Sequence, residues 1–133
     1  MSPERTLASK LLIKPGQHGA LLNAPTGYER VLERLPEGAI IDPRLGGNLD
    51  FVLLFARNSG DVEEYAPPAI QALKPESLLW IAYPKGGKKA GTDLNRDILW
   101  ELMSRFGWAG VTLVAVDDTW SAFRFRPIQD VGR

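Results

Sequence analysis

Short apolar runs alternate with amphipathic segments along the chain, and this pattern predicts alternating strands and helices. The apolar runs predict strands at 18–24, 38–42, 49–56 and 77–84. Apolar residues at helical spacing predict helices at 2–13, 26–35, 59–75 and 92–107, the third interrupted at Pro67-Pro68. Two further runs within residues 109–127 flank a turn at 117–119, which predicts an antiparallel hairpin.

Strands that alternate with helices favour a parallel sheet with right-handed crossovers and helices on both faces. The run at 49–56 is apolar nearly throughout, as expected of a parallel strand covered on both sides, and the terminal hairpin is expected to add one antiparallel edge strand. We therefore predict one α/β domain over residues 1–133 with a three-layer, Rossmann-like fold. Trp80, Trp100 and Phe123 are predicted core residues, and the apolar stripe of the last helix comprises Leu94, Ile98, Leu99, Leu102, Met103 and Phe106.

Charge and composition exclude several classes of function. The 133 residues carry 16 basic and 16 acidic side chains, which argues against a broad surface for nucleic acids or membranes. The absence of cysteine excludes disulfides and thiolate metal sites, and a single histidine excludes sites that need several, so no metal is expected. No apolar stretch is long enough for a signal peptide or a membrane span, so we expect a soluble, cytoplasmic protein.

The order of elements resembles the sheet of S-adenosylmethionine-dependent methyltransferases. That fold has a leucine-lysine-proline turn before its fifth strand and a closing hairpin, and here Leu73-Lys74-Pro75 directly precedes the strand at 77–84. Most of the chain resembles more closely a small bacterial domain family of unknown function, through the stretches "IKPGQ", "LLNAPTGY", "LLWIAYPK", "TDLN" and "AVDDTWSAFRF". The resemblance implies a shortened methyltransferase-like sheet, because the few residues between 42 and 49 leave out at least one strand–helix unit.

The turn after the first strand departs from the methyltransferase pattern. Those enzymes have a glycine-rich turn there, which lets the backbone lie against the cofactor. In this chain the turn reads "NAPTGY", where only Gly27 is glycine and Pro25 offers no N–H. Asp42, 19 residues beyond Asn23, stands where dinucleotide folds place a ribose-binding carboxylate, although aspartate before proline also commonly initiates a turn. We therefore expect no cofactor, with S-adenosylmethionine as the disfavoured alternative.

Ligands bind beyond the carboxyl ends of parallel strands, and this rule gathers the candidate site residues at one edge of the sheet. The predicted hairpin turn reaches the same edge, whereas His18 precedes the first strand and is placed at the opposite edge. The predicted ligand-binding residues are Asn23, Thr26, Gly27, Tyr28, Asp42, Arg57, Tyr83, Lys85, Lys88, Thr92, Asp117 and Trp120.

The basic loop "PKGGKK" (residues 84–89) precedes the last helix, for which Thr92 is the predicted N-cap and Asp93 a residue of the first turn. Cations and glycines beside a helix N-terminus can bind a phosphate or a carboxylate, while the alternative is a solvated surface loop. The rings of Tyr28, Tyr83 and Trp120 lie at the same predicted edge, where they either stack on a ligand or cap the sheet.

No cysteine and no nucleophile-elbow serine is present, so no catalytic residue is assigned. The favoured hypothesis is a non-catalytic domain on a degenerate methyltransferase-like scaffold, which binds a small anionic ligand or a protein partner. One alternative is a minimal transferase that uses S-adenosylmethionine or a nucleotide, with Asp42 and Tyr28 near the cofactor. The other is a structural partner subunit, which an exposed apolar patch or a stable homodimer would indicate. Neither nucleic acid nor membrane is an expected partner, and the oligomeric state is left open.

Overall fold

A computed structural model describes residues 7–26 and 35–131 of the chain. These residues form six strands, β1 (His18–Leu22), β2 (Ile40–Asp42), β3 (Leu49–Phe55), β4 (Leu73–Pro84), β5 (Trp108–Ala115) and β6 (Trp120–Pro127). The helices are α1 (Leu7–Lys10), α2 (Ser59–Ala72) and α3 (Arg96–Ser104), with 3₁₀ turns at Gly87–Ala90 and Ile128–Asp130. None of the described helices is long and apolar enough to span a membrane.

The six strands form one sheet in the order β2-β1-β3-β4-β6-β5. The first four strands in this order are parallel, and β6 is antiparallel to both of its neighbours, which confirms the predicted sheet with its C-terminal hairpin. The predicted position of the antiparallel strand at the edge of the sheet is wrong. The antiparallel strand is β6, which lies between β4 and β5, and β5 forms the edge. The connection through α3 leaves a one-strand gap between β4 and β5. The chain then reverses at the hairpin, and β6 fills that gap.

The central strands bury their side chains on both faces, which accounts for their nearly continuous apolar sequences. On one face, side chains of β3 and β4 pack against the buried sides of α2 and α3. On the other face, Phe51 and Trp80 pack against the N-terminal segment. The indole Nε1 of Trp80 donates a hydrogen bond to the carbonyl oxygen of Leu11 at 3.0 Å. The core positions predicted for Trp80 and Phe123 are therefore confirmed, and the three-layer arrangement follows from the two faces.

Helix α2 is continuous, so the predicted interruption at Pro67-Pro68 is wrong. Each proline removes one helical N–H. The carbonyl oxygens that lose a donor belong to Glu63 and Glu64, which are exposed and can bond to water. The opposite side of the helix is held against the sheet by small apolar residues, namely Val62, Ala66, Ala69 and Ala72. Tertiary packing therefore outweighs the local effect of the two prolines.

Other boundaries differ from the predictions near the ends of elements. Within the described residues the first helix covers only Leu7–Lys10, and Leu12 has a left-handed backbone with φ of 64° that is incompatible with a continuing helix. Residues 27–34 of the helix predicted at 26–35 lie outside the described residues. Strand β4 begins at Leu73 rather than at residue 77, so Lys74 and Pro75 belong to a strand.

Helix α3 begins four residues later than predicted, at Arg96, and Thr92 is not its N-cap. The cap is Asn95, whose Oδ1 accepts a hydrogen bond from the backbone N–H of Ile98 at 2.8 Å. The hydroxyl of Thr92 instead accepts from the backbone N–H of Leu94 at 3.0 Å, within a buried turn. Both residue types can cap a helix, and only the tertiary position of the turn distinguishes them.

The buried side of α3 is narrower than the predicted stripe. Leu99, Leu102 and Met103 are buried, and Leu94 is buried ahead of the helix. Ile98 and Phe106 are exposed, and the predicted core position of Trp100 is wrong, because 45% of this residue is exposed. The ring of Trp100 still makes an edge contact with Phe123, with ring centroids 6.2 Å apart. It therefore lies over the margin of the core rather than inside it.

We expect Gly19→Ala to destabilise the protein by about 1–3 kcal/mol, as overpacked cores generally do. Gly19 is paired with Phe51 across β1 and β3, and an added Cβ would lie 2.3 Å from the buried phenyl ring. Urea unfolding measures the loss. The control is Gly46→Ala, where an added Cβ meets nothing within 4 Å, and its free energy of unfolding should change by less than about 0.5 kcal/mol. Equal effects at the two glycines would contradict the tight packing at Gly19.

Candidate functional site

The chain reverses its direction of progress across the sheet at β1. It passes from β1 to β2 on one side and then returns to β3 on the other side. In open parallel sheets, ligands bind at such a reversal, outside the carboxyl ends of the strands. At this edge Asn23 follows β1, Asp42 is the last residue of β2, and Arg57 follows β3. The topology therefore places three of the predicted residues on the segments around the reversal point.

A hydrogen-bonded network joins the residues that follow β1 and β3 to the first turn of α2. The side-chain amide of Asn23 donates to the carbonyl oxygen of Phe55 at 2.9 Å and to Oδ2 of Asp61 at 3.2 Å. Arg57 donates from its backbone N–H to the same Oδ2 at 2.9 Å, and from Nη1 to the carbonyl oxygen of Asn23 at 3.2 Å. Asn23 has a left-handed backbone with φ of 57°, which asparagine tolerates better than most residues. The network thus connects β1, β3 and the first turn of α2.

Asp61 is the centre of this network, and the sequence analysis did not select it. It lies in the first turn of α2, where the side chain of Asn58 caps the helix by accepting from the backbone N–H of Asp61 at 2.9 Å. The spacing Asn58-x-x-Asp61 is similar to a capping box, in which the later carboxylate also accepts a backbone hydrogen bond near the cap. That spacing was the available signal for a helix start. Its link to Asn23 is not visible in the sequence, because 38 positions separate the two residues.

A pocket of about 460 Å³ lies beside the network, between the carboxyl ends of β1 and β2. Asp42 ends β2 between the lining residues Ile41 and Pro43 and is not itself a lining residue. Its Oδ1 accepts a hydrogen bond from the backbone N–H of Arg44 at 3.0 Å. The turn-initiating interpretation of Asp42 is thus supported, although the second carboxylate oxygen has no hydrogen bond among the described residues. The lining is mostly apolar and comprises Leu21, Asn23, Ala24, Ile41 and Pro43.

The basic loop after β4 lies at the same edge as the hairpin turn. The backbone N–H of Lys85 donates to the carbonyl oxygen of Thr119 at 2.8 Å, which joins the two segments. Lys85 and Lys88 are exposed. The predicted anion site relied on a helix that starts beside these lysines, but α3 starts at Arg96. The helix-dipole reason for an anion site at this loop is therefore lost.

The side chain of Asp93 connects the segment before α3 to the N-terminus of α2, a contact that the sequence analysis did not predict. Its Oδ1 accepts from the backbone N–H of Ser59 at 2.8 Å, and its Oδ2 accepts from the hydroxyl of Ser59 at 2.5 Å. The side-chain hydrogen bond from Ser59, followed by the backbone one, lowers the pKa of Asp93 below its ordinary value. Asp93 thus serves the N-terminus of α2, and not the first turn of α3 where it was predicted.

The remaining predicted site residues are buried, make structural contacts, are exposed, or lie outside the described residues. Tyr83 is buried, which raises the pKa of its phenol, and Trp120 is buried with its ring edge-on to Phe55 at 5.0 Å. Oδ1 of Asp117 accepts from the backbone N–H groups of Thr119 and Trp120, both at 2.8 Å, which forms the hairpin turn. Thr26 is exposed after β1, whereas Gly27 and Tyr28 lie outside the described residues.

His18 lies at the opposite, amino edge of the sheet, as predicted. It begins β1, and its backbone N–H donates to Oδ2 of Asp50 at 2.9 Å. Asp50 also forms an ion pair with Lys74, whose Nζ lies 3.0 Å from Oδ1. The hydrogen bond from His18 is the largest cause that lowers the pKa of Asp50, and Lys74 lowers it further. These contacts join the amino ends of β1, β3 and β4, far from the candidate site.

Several solved structures have a similar fold. The pyocyanin biosynthetic protein PhzM matches at 11% identity with a TM-score of 0.66, over 91% of this chain and 54% of PhzM. A ribosomal protein L11 methylase from Lactobacillus delbrueckii subsp. bulgaricus matches at 7% identity with a TM-score of 0.64, over 91% of this chain and 74% of the methylase. A complex of DhpI with S-adenosylmethionine and HEP matches at 12% identity with a TM-score of 0.60, over 91% of this chain and 84% of DhpI. The fold is methyltransferase-like.

The chain spans about half of the length of PhzM. No protein-family model matches the sequence, and neither does any curated protein. The resemblance to a methyltransferase sheet is therefore confirmed for the fold, whereas the resemblance to a small bacterial family receives no support from a family model. The similarity to these structures concerns the fold, and the function has to be argued from the edge that carries Asn23, Asp42 and Arg57.

We expect Asp61→Ala to lower the free energy of unfolding by about 1–3 kcal/mol, because it leaves the donors on Asn23 and Arg57 without their acceptor. The matched control is Glu63→Ala, which removes an exposed carboxylate from the same helix and should change stability by less than about 0.5 kcal/mol. Urea titrations of both variants measure the difference. A loss at Asp61 no larger than that at Glu63 would contradict the role of the network.

The contact between Asp93 and Ser59 predicts a pH-dependent stability. Because the pKa of Asp93 is lowered in the folded state, its contribution is present above the ordinary value of 3.8 and is lost as the pH falls through the folded-state pKa. We therefore expect Asp93→Asn to destabilise the protein near neutral pH, and the difference from the wild type should shrink in acid. Urea unfolding from about pH 6 to about pH 2.5 measures this difference.

Ser59→Ala provides the second arm of that experiment, since it removes the hydroxyl donor and keeps the charge of Asp93. It should reduce the acid-dependent part of the stability, and it should have no further effect on that part in the Asp93→Asn background. A difference between wild type and Asp93→Asn that stays constant down to the lowest pH would show that the carboxylate charge does not matter.

Proposed function

We propose that this chain is an S-adenosylmethionine-binding domain of the methyltransferase type, with the ligand at the carboxyl ends of β1 and β2. The observation that carries the proposal is the topological reversal at β1, which coincides with the pocket beside Asn23. The fold shared with the L11 methylase and with the S-adenosylmethionine complex of DhpI supports the same choice. These observations favour the cofactor-dependent alternative over the non-catalytic hypothesis that the sequence favoured.

Asp42 is the proposed partner of the ribose hydroxyls. It ends β2 between Ile41 and Pro43, which line the pocket, and an acidic residue at the end of this strand accepts hydrogen bonds from ribose in dinucleotide-binding folds. Its bond to the backbone of Arg44 uses Oδ1 and holds the side chain in place. The second oxygen keeps acceptor capacity for a hydroxyl donor. The turn-forming role of Asp42 and a ribose-binding role are therefore compatible.

Arg57 is the proposed partner of the ligand's amino-acid carboxylate. The residue leaves β3 on the other side of β1 and is exposed. One of its guanidinium nitrogens is bound to the carbonyl oxygen of Asn23, which fixes the group over the reversal point. A guanidinium has five N–H donors, so others are available for a carboxylate. Asp42 and Arg57 thus lie on opposite sides of the strand where an elongated ligand would be held.

Calorimetric titrations with S-adenosylmethionine, S-adenosylhomocysteine and 5′-methylthioadenosine test the proposal. The first two ligands carry an amino-acid carboxylate, and the third has the ribose but lacks the carboxylate. We expect Asp42→Ala to weaken all three about tenfold or more, whereas Arg57→Ala should weaken only the first two by a similar factor. The control is Glu37→Ala, an exposed carboxylate that precedes the amino end of β2, which should leave all three affinities unchanged.

The absence of binding by the wild-type protein at ligand concentrations of about 1 mM would overturn the proposal. Binding that Asp42→Ala leaves intact would overturn the placement of the ribose. Thermal unfolding of each variant without ligand shows whether a loss of affinity reflects a loss of folded protein.

A non-catalytic binding role is the second candidate, and the turn after β1 favours it. Pro25 offers no N–H, and the side chain of Asn23 is already bound to Phe55 and Asp61. Transfer of a labelled methyl group from S-adenosylmethionine to components of a cell extract separates the two candidates. A protein that binds the cofactor and transfers nothing would be a binding domain, as the sequence suggested.

A further inference from the structure

The edge strand β5 has the properties of a pairing surface. It is the last strand of the sheet, and the described residues place no strand on its outer side. The segment from Trp108 to Val116 contains neither a charged residue nor a proline. Natural proteins usually protect exposed edges with charges, prolines, short strands or bulges, and β5 has only one irregularity, between Gly110 and Thr112. Its unpaired backbone groups are therefore available to another strand.

The apolar surface continues from β5 onto the neighbouring helix. Leu113 is paired with Phe123 across β5 and β6, and Trp100 of α3 makes an edge contact with the same ring. Leu113 and Trp100 are each 45% exposed, and Val111 is 37% exposed. The exposed side chains of Trp100 and Leu113 thus flank Phe123 on the face of the sheet that α3 covers. An occupant of the edge would bury this surface as well.

The charges at the two ends of β5 are of opposite sign. Arg105 precedes the strand, and its ion pair with Glu101 is long at 3.7 Å and largely exposed. Asp117 and Asp118 follow the strand and are exposed. In an antiparallel pair of two β5 strands centred near Thr112, the end that carries Asp118 meets the partner's end that carries Arg105. A second copy of the same chain therefore complements both the backbone and the charges of this edge.

We propose that β5 pairs antiparallel with β5 of a second copy of this chain, about a two-fold axis perpendicular to the sheet. Such an axis keeps both copies of α3 on the same face, so Trp100 and Leu113 of each copy cover those of the other. The two six-stranded sheets become one continuous sheet. An isologous contact of this kind is self-complementary and closes at two copies. The proposal does not depend on the binding of S-adenosylmethionine.

Sedimentation analysis of the full chain from about 1 μM to about 1 mM tests the pairing. We expect a concentration-dependent dimer that Leu113→Lys weakens at least about tenfold, because it places two like charges at a buried edge. The control is Ile40→Lys, which adds the same charge at an exposed apolar residue of β2, on the opposite edge of the sheet. The control should leave the dimer unchanged. A protein that is monomeric throughout, or equal effects of the two variants, would overturn the proposal.

A charge exchange tests the direction of the pairing without relying on loss alone. Asp118→Arg and Arg105→Asp should each weaken the dimer, roughly three- to thirtyfold for two symmetric surface contacts. Each variant places like charges at both ends of its own dimer. An equimolar mixture of the two restores opposite charges at both ends, so it should form heterodimers with near wild-type affinity. Failure of the mixture to recover, with both variants folded, would overturn the antiparallel arrangement.

Discussion

The burial of β3 and β4 on both faces is the constraint on which the rest of the molecule depends. Their side chains alternate between two apolar clusters, one on each face, so other parts of the chain have to cover both faces of the sheet. Helices α2 and α3 cover one face, and the segment that includes Leu11 covers the other. Polar groups are therefore displaced to the ends of the strands. At the carboxyl edge they belong to segments that leave neighbouring strands, which is why a binding site can form there.

The network at the reversal point shows how this edge is built in the absence of a glycine-rich turn. Asn23 adopts the left-handed backbone that glycine would otherwise supply, and its amide satisfies the carbonyl oxygen of Phe55 at the end of β3. Asp61 then holds both the amide of Asn23 and the backbone of Arg57. The turn is thus held together by side-chain hydrogen bonds. A glycine turn would allow closer approach of a ligand to the backbone, whereas this turn holds the Arg57 guanidinium at the carbonyl oxygen of Asn23.

The strands could be predicted from the sequence because burial on both faces leaves uninterrupted apolar runs, and the fold followed from their alternation with helices. The ends of the helices could not. Thr92 and Asn95 are both residue types that favour caps, and the choice between them depends on the buried turn around Leu94. The edge that carries the candidate site was predictable from strand direction. Its central carboxylate, Asp61, was not, because its partner Asn23 is distant in the sequence and the helix-capping pattern gives no hint of that contact.

The two edges of the shortened sheet differ in a way that separates the two proposals. β2 has only three residues, and a short edge strand offers little for another chain to pair with. β5 is longer and uncharged, and it lies four strand spacings from β1, or roughly 20 Å at the usual separation of strands. Pairing through β5 would therefore leave the pocket between β1 and β2 open to solvent. Assembly of two copies and binding of a cofactor can then occur independently, with one pocket on each outer side of the joined sheet.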